Sequence, residues 1–268
     1  MKKIICIALI AVMAIIPVMI FTSCGSQNEG KLVCGITNFE PMNYKENNEW
    51  TGFDTEFAKL VGDKLGMRVV FEEIDWEGKY NELESGAISC IWNGFTANCD
   101  DKDGQSRGSK VDFSYGYMLN QQCVIVKKTN AENFKSEEDL KGKDIAAESG
   151  SAGETYAKKA KGEGTGDIIA VPAQINTFTE VKSGAVDCAV VDILLAQKLV
   201  DQGDFSDLVI ADITLESEIY AIGFKKGSDL TEKVNKAIED LFNDGSLERL
   251  AAKYHLENVL KLDKDTEF

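Results

Sequence analysis

Histidine is almost missing from this chain: His255 is the one imidazole in 268 residues. A Cys–His or Ser–His nucleophile needs an imidazole in a cleft, and His255 falls in the last amphipathic stretch, so hydrolase chemistry has little support. Proline is scarce too, with three residues, and nothing in the chain is low-complexity. Basic residues are outnumbered. Removing residues 1–23 takes away Lys2 and Lys3 and no acid, leaving 27 basic against 45 acidic side chains, or −18. Such a body repels polyanions, which excludes a nucleic-acid partner. No C-x-x-C pair occurs. Apart from Cys6 and Cys24 the cysteines are odd in number (Cys34, Cys90, Cys99, Cys123 and Cys188), so neither a zinc site nor a full disulfide framework is indicated. Four of these sit in apolar runs, "LVCGI", "ISCIW", "QQCVIV" and "VDCAVV", and read as buried free thiols acting as small hydrophobes.

What is present begins with Lys2-Lys3 and eighteen apolar residues from Ile4 to Phe21, followed by "TSCG". A positive start, an apolar core and small residues before a cleavage point spell an export signal over residues 1–23. "F-T-S-C" has the form of a lipobox, with Cys24 the thiol that would take a diacylglyceryl group, palmitate being the expected acyl chain. Residues 24–30 form a small polar tether. The alternative for the same stretch is an uncleaved transmembrane anchor. Either reading puts residues 31–268 outside the cytoplasm and at the cell membrane.

The rest of the chain alternates strand and helix. "KLVCGI" is a strand, and Asp54 is expected to cap "TEFAKLVGDKLG", in which Phe57, Leu60, Val61 and Leu65 share a face and Gly66 is the stop. "RVVFEEI", "WEGKYNELESG" and "AISCIWNG" complete a βαβαβ unit of a parallel, doubly wound sheet. The same grammar restarts after "QQCVIVKK", and two amphipathic helices close the chain. One phrase nearly repeats: "SGAISCIWNG" (85–94) and "SGAVDCAVVD" (183–192) each leave a helix on Ser-Gly and enter a short apolar strand. Two α/β units follow, joined by extended segments near residues 124–127 and 219–223.

Ligands of open parallel sheets bind beyond the carboxyl ends of the strands. The first repeat runs into Gly94, Phe95, Thr96 and, after an insert, Arg107; the second ends in Asp192. "ESGSAG" (148–153) adds a helix N-terminus suited to an anion. One guanidinium and one helix N-terminus facing one carboxylate complement a free α-amino acid: Arg107 and the Ser151 turn for its carboxylate, Asp192 for its ammonium.

Read in order, "LVCGI", "PMNY", "WTGFDTEFAKLVGDKLG", "IDWEGKYNELESG", "WNGFT", "RGSKVDFSYGY", "EDLKGKDIA", "SGAVDCAVVD" and "DGSLERLAAKY" resemble the family 3 bacterial extracellular solute-binding proteins over residues 31 to about 258. The resemblance implies an α/β, two-lobed periplasmic-binding-protein-like fold, each lobe a mostly parallel sheet flanked by helices, with a double-stranded hinge. Lobe 1 would comprise 31–125 plus 223–268 and lobe 2 residues 126–222. It also implies an extracytoplasmic, lipid-anchored monomer that binds a polar amino acid and serves the permease subunits of an ABC importer, without catalysis, cofactor or metal. An extracellular sensor domain, or a dehydratase-like enzyme on the same fold, are the alternatives. By the same resemblance Phe39 and Trp76 cover the ligand's aliphatic part, Gly94 and Thr96 bind its carboxylate, and Arg107, Gly150-Ser151 and Asp192 fill the roles above. One departure stands out: "NCDDKDGQSR" intervenes between Thr96 and Gly108, about six residues longer than the family's spacing. As a calcium loop it fails, because Cys99 and Lys110 would fall at loop positions 1 and 12. The insert reads as a solvated acidic loop. Trp92, mid-strand, reads as core, and Asp192 could instead cap the helix that follows it.

Overall fold

Strand β1 (Lys31–Ile36) buries five of its six residues, the mark of a strand covered on both faces. It opens the computed structural model, which describes residues 30–266 and 268. The expected signal segment, Cys24 and the tether up to residue 29 lie outside the described residues.

A hairpin of β2 (Tyr44–Glu46) and β3 (Glu49–Thr51) leads into α1 (Phe53–Leu65), β4 (Arg68–Glu73), α2 (Lys79–Ser85) and β5 (Cys90–Ile91). After β6 (Asp112–Phe113), the long strand β7 (Gly116–Lys127) leaves this unit for the next. That unit contains β8 (Ile145–Glu148), α3 (Ala152–Lys161), β9 (Ile168–Val171), α4 (Gln174–Ser183), β10 (Cys188–Asp192), α5 (Ile193–Leu199) and β11 (Leu208–Ile210). The chain returns through β12 (Ser217–Tyr220) and β13 (Gly223–Phe224) to α6 (Leu230–Asn243), α7 (Ser246–Tyr254) and β14 (Leu260–Asp263).

Two sheets result, ordered β4-β1-β5-β13-β6 and β11-β7-β10-β8-β9. In the first, four strands run one way and β13 runs against them; in the second, β7 runs against the other four of that order and also against β12 and β14, which pair with its first half. The two-lobed, mostly parallel architecture expected from the strand–helix alternation is therefore present. The near-repeat is also structural: α2 and α4 end on Ser85 and Ser183, and Gly86 and Gly184 close them in the left-handed conformation that glycine adopts without cost. Four cysteines lie buried in β1, β5, β7 and β10, with no disulfide among the described cysteines.

The crossing falls earlier than the apolar run at 124–127 suggests. β7 pairs with β12 over Met118–Gln121 against Ser217–Tyr220, and from Gln122 onward it is held by β10. The strand is continuous through both environments, so its own residues do not announce where the partner changes.

Asp54 corrects another expectation. It is the second residue of α1, whose N-cap is Gly52, and it makes no capping bond. Its Oδ2 instead accepts from the Gly94 amide at 2.7 Å and from the Tyr117 hydroxyl at 2.9 Å. Trp92 is core as expected, edge-on to Phe57 with ring centroids 5.1 Å apart. His255 is the C-terminal cap of α7.

Candidate functional site

The loops that follow β1 and β5 are tied before any ligand group is considered. Asn93 Oδ1 accepts from the Thr37 amide and from Asn43 Nδ2, both at 2.9 Å, and Asn93 Nδ2 donates to Thr37 Oγ1 at 2.6 Å. The next residue is Gly94, at φ +55. A Cβ there would stand 2.6 Å from Phe39 Cε1 and 3.0 Å from Tyr220 Cε2, so only glycine lets the two rings close on this turn.

Beyond these strand ends lies a narrow cavity of about 20 Å³ between the lobes. All seven residues singled out from the sequence line it: Phe39, Trp76, Gly94, Thr96 and Arg107 from one side, Ser151 and Asp192 from the other. Glu148, Gln174, Thr37 and Asn93 line it as well. Glu40, Glu148 and Asn120 are the residues that the sequence offers for a ligand's side chain, and of these Glu148 is in the wall. Asn120 sits behind it, bonded to Asp192, and Glu40 is not among the lining residues.

Arg107 is 1% exposed, and its guanidinium lies over the Phe95 ring at 4.9 Å. Nε donates to Asp101 at 3.0 Å, Nη1 to the Thr96 carbonyl at 2.8 Å and Nη2 to the Gly150 carbonyl at 3.3 Å. The insert thus carries the arginine back to the cavity and supplies its counter-ion. This overturns the reading of the insert as wholly solvated: residues 102–106 are exposed, but Asp101 is 5% exposed. Burial opposes the ionisation of Asp101, yet Arg107, and after it Tyr80 and Lys110, hold its carboxyl below the usual range. The spacing from Thr96 to Arg107 hides this, because an acidic loop looks the same in sequence whether one of its carboxylates turns inward or not.

On the opposite side, the Ser151 hydroxyl caps α3 by accepting from the Glu154 amide at 3.0 Å. The Gly150 amide donates to Glu154 Oε2 at 2.7 Å. The anion site expected at this turn is therefore partly filled by the protein's own carboxylate, leaving the first-turn amides of Ala152 and Gly153 without a protein acceptor among the described residues.

Asp192 precedes α5 but makes no side-chain cap bond, so the capping alternative is set aside. Its Oδ1 accepts from Gln122 Nε2 at 3.0 Å, from the Tyr220 hydroxyl at 2.7 Å and from Asn120 Nδ2; Oδ2 accepts from Gln174 Nε2. Burial raises its pKa, against the hydrogen bonds that favour the anion. Burial, then Asp192, push Glu148 up to about 8.

Gln122, Glu218, Tyr220, Gln174 and Lys79 escaped sequence reasoning, and a signal existed for all but the last. Asn120 and Gln122 alternate on β7, and Glu218 and Tyr220 alternate on β12, so each pair shares one face of its strand. Gln174 opens α4 just after β9, where the strand-end rule would place a ligand group. Lys79 gave none. It is buried, donates to the Gly150 carbonyl across the cleft at 3.0 Å, and burial, then Arg107, lower its pKa to about 7. With the Arg107–Gly150 bond, Ser149 Oγ makes a third crossing, to Glu77 Oε2 at 2.8 Å.

Two sheets joined by a crossing pair of strands, with a polar cavity at the facing strand ends and hydrogen bonds running across it, define a two-lobed ligand-binding protein. The sequence profile of the bacterial extracellular solute-binding proteins, family 3, matches residues 32–257, and the chain belongs to that family. It is 30% identical to the arginine-binding extracellular protein ArtP of Bacillus subtilis, over 87% of this chain and 91% of that protein. The L-cystine-binding protein TcyA of the same organism is 28% identical, over 97% and 100%. Among solved structures, an ancestral arginine-binding protein bound to arginine superposes with a TM-score of 0.78 at 34% identity, covering 85% of this chain and 99% of that one. The ancestral amino acid-binding protein AncCDT-1, described as a precursor of cyclohexadienyl dehydratase, superposes at 0.75 with 30% identity, covering 84% and 96%.

Proposed function

We propose that this chain is the extracytoplasmic substrate-binding lipoprotein of an ABC importer, and that it takes one free amino acid between its closing lobes. The observation that carries the reading is the convergence of Arg107 and Asp192, from opposite lobes, on one cavity. The ligand's carboxylate meets the two guanidinium hydrogens left free after three bonds, together with the Thr96 backbone amide and the first-turn amides of α3. Its ammonium meets Asp192, and Phe39 and Trp76 cover the aliphatic part. Closure brings the two charged groups to the ligand at once, so the ligand favours the closed arrangement by its differential affinity.

In this reading the lobes divide within the β7–β12 pair, Cys24 carries the lipid anchor after cleavage at residue 23, and a monomer presents its closed surface to the permease subunits. The wall carries two carboxylates, Asp192 and Glu148, which favours a ligand with a second positive group. That agrees with the arginine bound by several relatives and makes L-arginine the first probe. A thermal-shift screen of the soluble chain against the twenty amino acids and cystine tests the reading. At least one should raise the melting temperature by several degrees, whereas a flat response to all of them refutes it. Incubation with prephenate-like substrates tests the dehydratase alternative, and no turnover is expected.

A further inference from the structure

Behind the cavity wall, two carboxylates are held by the same two amides. On β7, Gln122 stands directly opposite Asp192 of β10, and Asn120 directly opposite Glu218 of β12. Gln122 Nε2 donates to Asp192 Oδ1 and to Glu218 Oε2, each at 3.0 Å. Asn120 Nδ2 donates to both carboxylates as well, at 2.7 Å to Glu218. Thr96 Oγ1 adds a bond to Glu218 Oε2 at 3.0 Å. Asp192 and Glu218 are 5% and 8% exposed, and neither forms an ion pair among the described residues. The amide oxygens Asn120 Oδ1 and Gln122 Oε1 are buried without a hydrogen-bond partner. Both amides have turned their N–H groups toward the acids and left their own oxygens bare.

Two buried carboxylates that share donors repel one another when both are ionised. We propose that Asp192 and Glu218 hold one proton between them in the ligand-free protein, and that a ligand ammonium arriving at Asp192 expels this proton to solvent. The ammonium keeps its three hydrogens, and the protein's acid loses one, so binding releases one proton to the buffer. Glu218 is a positioning residue: it acts on the ligand through Asp192 and sets the pH at which the site accepts a cation.

The charged and titratable groups around the pair come from every neighbouring element. Tyr220 on β12 donates to Asp192, and Tyr117 on β7 lies beside Tyr220. Glu148 at the end of β8 is a further acid near Asp192, itself pushed up to about 8 by burial and then by Asp192. From the first lobe, Arg107 exerts a positive field on Asp192 while bonded to Asp101, Lys79 exerts one on Glu148, and Cys99 faces Glu218. None of these cations is bonded to the pair. Burial first, and Asp192 second, push Glu218 up to about 7, in keeping with a retained proton.

The proposal rests on the amino-acid reading, and the experiment separates the two. In the ligand-free protein, carbon NMR of labelled carboxyl groups, with the Glu218 signal assigned by its loss in E218Q, follows the pair without any ligand. Coupled titration of Glu218 and Asp192 well above the ordinary carboxylate range is expected, and a Glu218 carbon fully ionised at about pH 5 overturns the shared proton. Calorimetry with L-arginine at about pH 6, in two buffers of different ionisation enthalpy, then counts protons. The wild type should release about one more proton than E218Q, and its affinity should weaken about tenfold per pH unit below the titration, where that of E218Q stays flat. Equal counts overturn the expulsion. Should E218Q fail to fold, Q122M removes a donor from both carboxylates and should move the release to higher pH; an unmoved midpoint overturns the proposal. Absence of any heat from L-arginine counts against the ligand, and the NMR titration still decides the pair.

Discussion

Replacing Asp54 by Asn should remove a pH dependence of stability that the wild type carries. Asp54 is buried beneath the Gly94 turn, bonded through one oxygen to the Gly94 amide and Tyr117, while its Oδ1 is buried without a partner. Burial raises its pKa from 3.8 to about 7, despite those two hydrogen bonds. The folded protein therefore keeps a proton on Asp54 that the unfolded chain has lost. The associated stability is fully present below the unfolded value and lost as pH rises through the folded one. A shift of this size corresponds to about 4 kcal/mol over the whole range, and to about 2.5 kcal/mol between about pH 5 and about pH 8. For a domain of this length that is a melting-temperature difference of about 5–10 °C. D54N also buries an amide N–H2 where the bare oxygen was, a pH-independent cost of about 1–3 kcal/mol. The quantity to compare is thus the slope and not the offset. Thermal and urea unfolding of both proteins at the two pH values should give a drop in the wild type larger than that in D54N by roughly the stated 2.5 kcal/mol. Parallel pH profiles would refute a protonated Asp54.

Three further outcomes follow from the site. D192N keeps the shape but removes a charge-assisted bond, and should weaken binding of a free amino acid about 10- to 100-fold by calorimetry. D101A leaves Arg107 and Lys110 without their shared buried acceptor and should cost about 3–5 kcal/mol in urea unfolding, whereas K102A, on the exposed part of the insert, should cost less than about 1 kcal/mol. In a chain beginning at Gly30, thiol titration should count Cys34, Cys90, Cys99, Cys123 and Cys188 once denatured. The native protein should react slowly, because four of the thiols are buried and burial lifts Cys99 to about 11. Two or fewer free thiols after denaturation would contradict the unpaired state.

How far the sequence could be read depended on whether the information was local. Strand and helix identities were legible because hydrophobic period and Gly stops act within a few residues, as at Gly66, Gly86 and Gly184. The cavity wall was legible through the strand-end rule, which needs only the order of elements, and that is why Gly94, Thr96 and Asp192 were found. Roles decided by a partner far along the chain were not. Asp54 looked like a helix cap because the aspartate precedes an apolar face, yet its partners are 40 and 63 residues away. Asp101 looked solvated for the same reason, and Lys79 resembled any lysine of a surface helix. Glu218 was hidden in a four-residue strand whose alternation is too short to separate a buried acid from an exposed one.

The rung formed by Asn120 and Glu218 belongs to the β7–β12 ribbon that joins the two lobes. In the proposed closure, the backbone that bends is also the backbone that presents the acid pair's donors. Widening the mouth therefore retunes the chemistry of its floor, and a mutation that merely stiffens the ribbon should alter which charge the empty protein prefers to hold. In this molecule shape and proton affinity are two readings of one gauge.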